Sequence, residues 1–231
     1  MQRKNNCISK TYLTPPPLAS VMAKKESVYT DFEAEKFLSN YISVSPNQLV
    51  NSIEQIKIKP PLALKIISKQ ALHKTEIGGV KIVNHHSTLE PAFDQLLEIA
   101  KKHKIKLDGI MAQKFQKGEQ LIVGIKKDPV FGHMILFGIG GIFTELLKDT
   151  ATRKCPITTI DAKEMIDELR ASQLFYGFRG EKLNTKKLID TLVKISHLPI
   201  KHKKIEELDI NPLILNAKDA IAVDARIVWE N

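Results

Sequence analysis

Near the end of this 231-residue chain, Asp209, Asn211 and Asp224 carry hard oxygen atoms at a spacing that lets one cation touch all three. They sit in Glu206-Glu207-Leu208-Asp209-Ile210-Asn211-Pro212 and Ala222-Val223-Asp224-Ala225-Arg226. The Ile-, Leu- and Val-rich runs on both sides of Asn216-Ala217-Lys218-Asp219 read as two strands joined by a tight turn. Centring that turn between Ala217 and Lys218 sets Asn211 opposite Asp224, and the two-residue strand period puts Asp209 on the same face as Asn211. Magnesium favours such donors, taking one or two carboxylates while substrate phosphates and water complete its shell. A one-residue slip of register would scatter the three groups, and the same residues equally suit an ordinary acidic strand end.

Other residues suit the handling of phosphate. Lys65 interrupts the apolar run Ala63-Leu64-Lys65-Ile66-Ile67, where a cation is expensive unless an anion meets it. It would serve a nucleotide phosphate as a point charge, and a lysine turned from an open sheet face into water has the same signature. The loop His73-Lys74-Thr75-Glu76-Ile77-Gly78-Gly79-Val80 combines an imidazole able to carry a phosphoryl group, the Lys74 cation and two glycines that let backbone N–H groups approach phosphate. A merely solvated histidine fits that loop as well. The stretch from Phe131-Gly132-His133 through Gly138, Gly140 and Gly141 to Glu145 runs from a strand across glycines into a helix start. It has neither a GxGxxG fingerprint nor the Gly-Lys-Ser/Thr ending of a P-loop. Arg153, and Arg179 within Gly177-Phe178-Arg179-Gly180, offer guanidinium groups for phosphate or for surface ion pairs. Glu119, just ahead of the run Leu121 to Ile125, is a candidate for metal or ribose, or an exposed carboxylate.

These groups need elements to hold them. Met1 to about Lys25, with Thr14-Pro15-Pro16-Pro17 and no periodic pattern, reads as a flexible extension. Thr30 and Glu33 form a capping-box pattern ahead of Phe32, Ala34, Phe37 and Leu38, which predicts a short amphipathic helix, and Ser45 and Pro46 are expected to start another. Leu62 to Ile67 and Val80 to Val83 have the length and composition of strands. Ser87 and Glu90 match a second capping box before a helix with Ala92, Phe93, Leu96, Leu97 and Ile99 on its buried face. Strands are expected from Gly109 to Phe115, Leu121 to Lys126 and, after the Lys127-Asp128-Pro129 turn, Met134 to Phe137. Helices follow at about Ile142 to Lys148, Ala162 to Ser172 (capped by Asp161 and Glu164) and Lys186 to Ser196. The fold class is α+β: one two-lobed domain over residues 26–231, the smaller lobe at about 47–108 and the larger at about 109–231 with the first helix.

With 43% hydrophobic and 26% charged residues, the chain can bury a core. Met134 to Phe143 is too short to span a bilayer and is broken by glycines, and no secretory signal pattern is present, so a cytoplasmic protein with no membrane partner is expected. Cys7 and Cys155 have neither a metal-binding spacing nor a disulfide framework around them. The net charge of +9 favours anionic partners, with local clusters at Lys101, Lys102, Lys104 and Lys106 and at Lys201, Lys203 and Lys204. No helix-turn-helix, zinc-finger or RNA-binding signature accompanies them, so phosphorylated small molecules, not nucleic acid, are the expected partners.

Taken in order, Leu64-Lys65-Ile66, His73-Lys74 with Gly78-Gly79-Val80, Asp128-Pro129 with Phe131-Gly132, Phe137-Gly138 with Gly140-Gly141, Arg179-Gly180 and the Glu207 to Pro212 hairpin form a joint pattern. From about Thr30 to Trp229 the chain resembles the β subunits of ADP-forming acetyl-CoA synthetases. The resemblance implies an ATP-grasp fold, with Mg²⁺ and ATP or ADP held between two lobes. It implies reversible conversion of acyl-CoA, ADP and phosphate into carboxylic acid, CoA and ATP. A separate α subunit, in an α2β2 assembly, would bind CoA and pass a phosphoryl group to His73. Lys65, Lys74, Gly78, Gly79, Arg153 and Arg179 would meet phosphate, Glu119 the nucleotide, and Asp209, Asn211 and Asp224 the magnesium. Adenine would lie against Met111, Ala112, Gln113 and Phe115. His133 stands where the family usually has proline, a departure that touches no proposed catalytic residue. A succinate–CoA ligase β subunit ranks second, because its additional C-terminal domain is not expected here, and a non-catalytic nucleotide-binding subunit is a third reading.

Overall fold

The computed structural model describes residues 27–69, 77–141, 149–177 and 182–230, and arranges them as two sheets, each covered by helix on one face. The chain enters through β1 (Ser27–Tyr29) and α1 (Asp31–Leu38). The capping box expected there is formed. The Thr30 hydroxyl accepts from the Glu33 N–H at 3.4 Å, and the Glu33 carboxylate accepts from the Thr30 N–H at 2.8 Å, satisfying N–H groups that a helix start leaves unpaired. Ala34 and Leu38, one turn apart, are fully buried in the core of the larger sheet.

Ser45 and Pro46 do not begin a helix. The Ser45 hydroxyl donates to the Lys114 carbonyl at 2.6 Å and the Pro46 carbonyl accepts from the Lys114 N–H at 2.8 Å, so sheet pairing claims this backbone and β2 (Asn47–Val50) follows. Next come β3 (Leu62–Ile67), β4 (Val80–Val83), α2 (Leu89–Lys102) and β5 (Gly109–Lys114). They form a four-stranded sheet in the order β2-β5-β3-β4. Phe93, Leu96 and Ala100 of α2 pack on Leu62, Leu64, Ile66, Ile110 and Ala112. A 3₁₀ turn at His86–Thr88 leads into α2, and its N-cap Thr88 turns its hydroxyl to the His85 carbonyl, so the Ser87/Glu90 box is not formed. Leu97 is exposed, outside the buried stripe. The strand that the sequence pattern assigns to the larger lobe, β5, pairs with β2 and β3 instead, because Ile110 and Ala112 complete the apolar face under α2.

The larger sheet follows, from β6 (Glu119–Asp128), β7 (Gly132–Ile139) and β8 (Thr150–Lys154), through α3 (Thr159–Asp167), α4 (Thr185–Ser196) and the short α5 (Leu198–Lys201), to β9 (Ile205–Leu215), β10 (Ala220–Ala222) and β11 (Ala225–Trp229). Its order is β1-β11-β9-β6-β7-β8, with β10 beside β9. Helices α3 and α4 bring Ala162, Met165, Ile166, Leu188, Leu192 and Ile195 onto Leu121, Val123, Ile125, Ile135, Phe137, Leu208 and Ile210. Each large apolar side chain so buried contributes about 1.5–3 kcal/mol. The cap of α3 is Thr158 with Asp161, not Asp161 with Glu164: the Thr158 N–H donates to Asp161 Oδ2 at 2.7 Å. The helix expected at 142–148 and the extension before residue 26 lie outside the described residues.

Candidate active site

The closing hairpin has the register the sequence predicts. Leu213 faces Ala222, Asp209 faces Arg226, and the Asn211 N–H donates to the Asp224 carbonyl at 3.1 Å. Leu208 and Ile210 turn into the core, which leaves Asp209 and Asn211 on the uncovered face of the sheet. Above this end of the hairpin stands the four-stranded sheet, and between the two lies a cleft of about 460 Å³, a size typical of small-molecule sites. The smaller sheet lines it with Ala63, Lys65, Val80, Ile82 and Gln113, the connection with residues 114–118, and the larger sheet with Gln120, Asn211, Pro212, Ile214, Val223 and Asp224.

Lys65 crosses this cleft. Leu64 and Ile66 face α2, so strand alternation turns Lys65 the other way, where only 5% of it is exposed. Its ammonium donates to the Val223 carbonyl and lies 3.5 Å from Asp224 Oδ2. It is therefore not a lysine pointing into water; a cation from one sheet is held by oxygens of the other. Behind it is a group the sequence analysis passed over, Glu35 of α1, fully buried and accepting from Asn47 Nδ2 and Gln113 Nε2, each at 2.6 Å. Burial pushes its carboxyl pKa up to about 7; Lys65 pulls it down and Asp224 pushes it further up. The signal available in the sequence was the fourth helical position after Asp31, on the apolar side of α1 beside Ala34 and Leu38.

The oxygen donors fit a hard cation. Among the described residues no cluster of three or more His, Cys, Asp or Glu stands ready for a metal. What the hairpin offers is two carboxylates and one amide oxygen, Asp209, Asp224 and Asn211, a set that leaves coordination positions for phosphate and water. Asp209 does not line that cleft; it lies in a neighbouring groove on the same face of the larger sheet, with Gly124, Lys126, Met134 and Thr152, where burial raises its pKa, Glu207 and Asp224 add to that effect and Arg226 opposes it.

The remaining candidates separate. Phe115 and Gln113 line the cleft; Met111 is fully buried beneath it, paired with Lys65, and Ala112 faces α2, so it does not line the site. Gly78 and Gly79 lead into β4, and the Gly79 carbonyl accepts from the Ile66 N–H at 2.9 Å; their neighbour Val80, not the glycines, lines the cleft. Glu119 does not line it either. Leu121, Val123 and Ile125 point to the core, so Gln120 takes the position on the cleft side, a result the alternation could have shown. Arg153 is engaged elsewhere, with both guanidinium nitrogens on Glu168, one at 3.1 Å and the other closer, on the helix-covered side of β8. His73, Lys74 and Arg179 lie outside the described residues.

Comparison with known proteins agrees with this geometry. The family profile described as an ATP-grasp domain matches residues 20–228. The β subunit of acetate–CoA ligase (ADP-forming) I from Pyrococcus furiosus is 39% identical over 207 residues, covering 85% of this chain and 89% of that subunit. A structure of the dinucleotide-forming acetyl-coenzyme A synthetase 1 of Ca. Korarchaeum cryptofilum, in complex with coenzyme A, Ca-AMPCP and HgCl⁺, superposes with TM-score 0.83 at 35% identity, covering 87% of this chain and 93% of that one. Another of the same protein, with coenzyme A and Mg-AMPPCP and its phosphohistidine segment pointing towards the nucleotide site, gives TM-score 0.77 at 34% identity, with 87% and 92% covered. With the two-sheet cleft and these relatives in agreement, the chain belongs to the ATP-grasp family of ADP-forming acetate–CoA ligase β subunits.

Proposed function

We propose that this chain is the nucleotide-binding β subunit of an ADP-forming acyl-CoA synthetase, interconverting acyl-CoA, ADP and phosphate with carboxylic acid, CoA and ATP. The observation that carries the reading is Lys65 meeting Asp224 across the cleft, beside Asn211, in a chain whose relatives bear that activity. Lys65 supplies positive charge to the nucleotide phosphates, and Asp209, Asn211 and Asp224 hold Mg²⁺, which when bound offsets the phosphate charge. Val80, Ile82 and Ile214 give the base apolar walls, next to Gln113 and Phe115. In the ATP-forming direction a phosphorylated ring nitrogen of His73 gives its phosphoryl group to a terminal oxygen of ADP. The N–P bond breaks as the O–P bond forms, and the imidazole, carrying a proton on its other ring nitrogen, keeps the electron pair and is left neutral. Lys74, Gly78, Gly79 and Arg179 accompany that loop and its anion.

The functional unit is one ATP-grasp domain over residues 26–231, with its smaller lobe carried to Lys114. It works in the cytoplasm with an α subunit that holds most of the CoA site, in an α2β2 assembly. The test is to incubate the chain with γ-radiolabelled Mg-ATP, with and without an α subunit, and map acid-labile, base-stable label. Label on His73 that chases to ADP and is absent from His73→Ala is the expected result. ATP binding without label, in the presence of the α subunit, would replace the relay by a non-catalytic nucleotide-binding role.

A further inference from the structure

Glu35 has no part in the phosphoryl transfer just described, although its position is an expensive one. Its Oε2 accepts from amides on two strands of the smaller sheet, Asn47 and Gln113, while α1 itself packs on the larger sheet. Its Oε1 is buried and has no hydrogen-bond partner among the described residues. A buried carboxyl with half its acceptor capacity unfilled costs stability, and an apolar side chain would pack at this helix position without that cost. Two charged groups act on it: the Lys65 ammonium, which attracts it, and the Asp224 carboxylate, which repels it. Lys65 is thus drawn by two carboxylates, Asp224 within ion-pair distance and Glu35 from farther off.

We propose that Glu35 is a positioning residue of the metal–nucleotide site, which competes with Asp224 for the Lys65 ammonium and so leaves Asp224 available to a divalent cation, while holding Gln113 at the cleft wall. The proposal rests on the nucleotide-site reading and deepens it. When Glu35 is neutral, Lys65 has Asp224 as its only anionic neighbour among the described residues, and the pair closes on itself. When Glu35 is ionised, the ammonium is shared, and one more negative charge stands behind Lys65 on the side of the molecule that the cation approaches only through the cleft. Charged Glu35 therefore favours Mg²⁺ entry, and the effect appears only as the pH rises through the range in which Glu35 loses its proton.

The experiment is calorimetric titration of Mg²⁺ into the folded chain with ADP present, at pH 6 and pH 8, for wild type and Glu35→Gln. The amide keeps an acceptor for Asn47 and Gln113 but cannot ionise. The variant is expected to need about tenfold more Mg²⁺ for half-maximal ADP binding at pH 8, and to match wild type at pH 6. Equal Mg²⁺ requirements at both pH values would overturn the proposal, as would a deficit of the same size at both, which is what a merely structural role gives. If the variant does not fold, the ¹³C carboxyl resonance of Glu35 in wild type decides: it should titrate near neutrality and move to lower pKa when Mg²⁺ is added without nucleotide, and an unmoved titration overturns the proposal. A wild-type protein that binds no ADP at any Mg²⁺ concentration would instead sink the nucleotide-site reading, and the carboxyl titration separates the two failures.

Discussion

Glu35 has a consequence for stability as well as for the site. Its folded pKa of about 7 lies above the ordinary 4.5, so the folded chain holds this proton more tightly than the unfolded chain does. The stabilisation is fully present below pH 4.5 and is lost as the pH rises through about 7. The gap corresponds to about 3 kcal/mol. About 2.5 kcal/mol of that is lost between pH 5 and pH 8, so calorimetry should show wild type losing roughly 5–10 °C more than Glu35→Gln over that range. Parallel Tm profiles would mean that Glu35 does not titrate in that window. Lys65 and Glu35 differ in how readable they were. A lysine inside an apolar strand is conspicuous, whereas a glutamate on a helix already rich in Asp31, Glu33 and Lys36 looks like one more solvated charge until the sheets close over it.

The closing hairpin was legible because turn chemistry and alternation are local, and a single register satisfies both. The cleft wall beside it depends on a close approach. Gly118 has a φ of +153° and joins the smaller sheet to β6; a Cβ there would meet the Leu215 carbonyl oxygen and come within 2.9 Å of Ile214 Cγ2. Because the nearest obstacle is backbone of a central strand, a side-chain rotation cannot relieve it. Gly118→Ala is expected to cost about 2–4 kcal/mol, read as a lower denaturation midpoint at unchanged m-value, and a change under 0.5 kcal/mol would show that the connection can shift. Elsewhere, local signals competed with pairing. Ser45-Pro46 has the look of a helix start, but the Ser45 hydroxyl and the Pro46 carbonyl are taken by Lys114 on β5 and the Ser45 N–H by the Ala222 carbonyl, partners far along the chain. The Thr158/Asp161 cap of α3 was misplaced by three residues for a similar reason, since both Thr158 and Asp161 are good caps and only the path of the chain selects one.

Because the cleft is built from two sheets, a ligand that touches both should stabilise the molecule as a unit. Mg-ADP at a hundred times its dissociation constant should add about 2.7 kcal/mol, a rise in Tm of roughly 5–10 °C. Differential scanning calorimetry should show that rise reduced by EDTA and by Asp224→Asn, and a full rise in both would remove the metal from Asp224. The relation between the sheets also explains what could be read beforehand. Strand period, turn composition and the spacing of Asp209, Asn211 and Asp224 are written in neighbouring residues, so the hairpin face, the α+β class and the chemistry of the donors followed from the sequence and its family resemblance. The sheet that receives β5, the choice of Gln120 over Glu119, the diversion of Arg153 to Glu168 and the meeting of Lys65 with Asp224 were decided only by tertiary packing. Each depends on which face of an element is covered by a partner distant in sequence, and no local pattern encodes that.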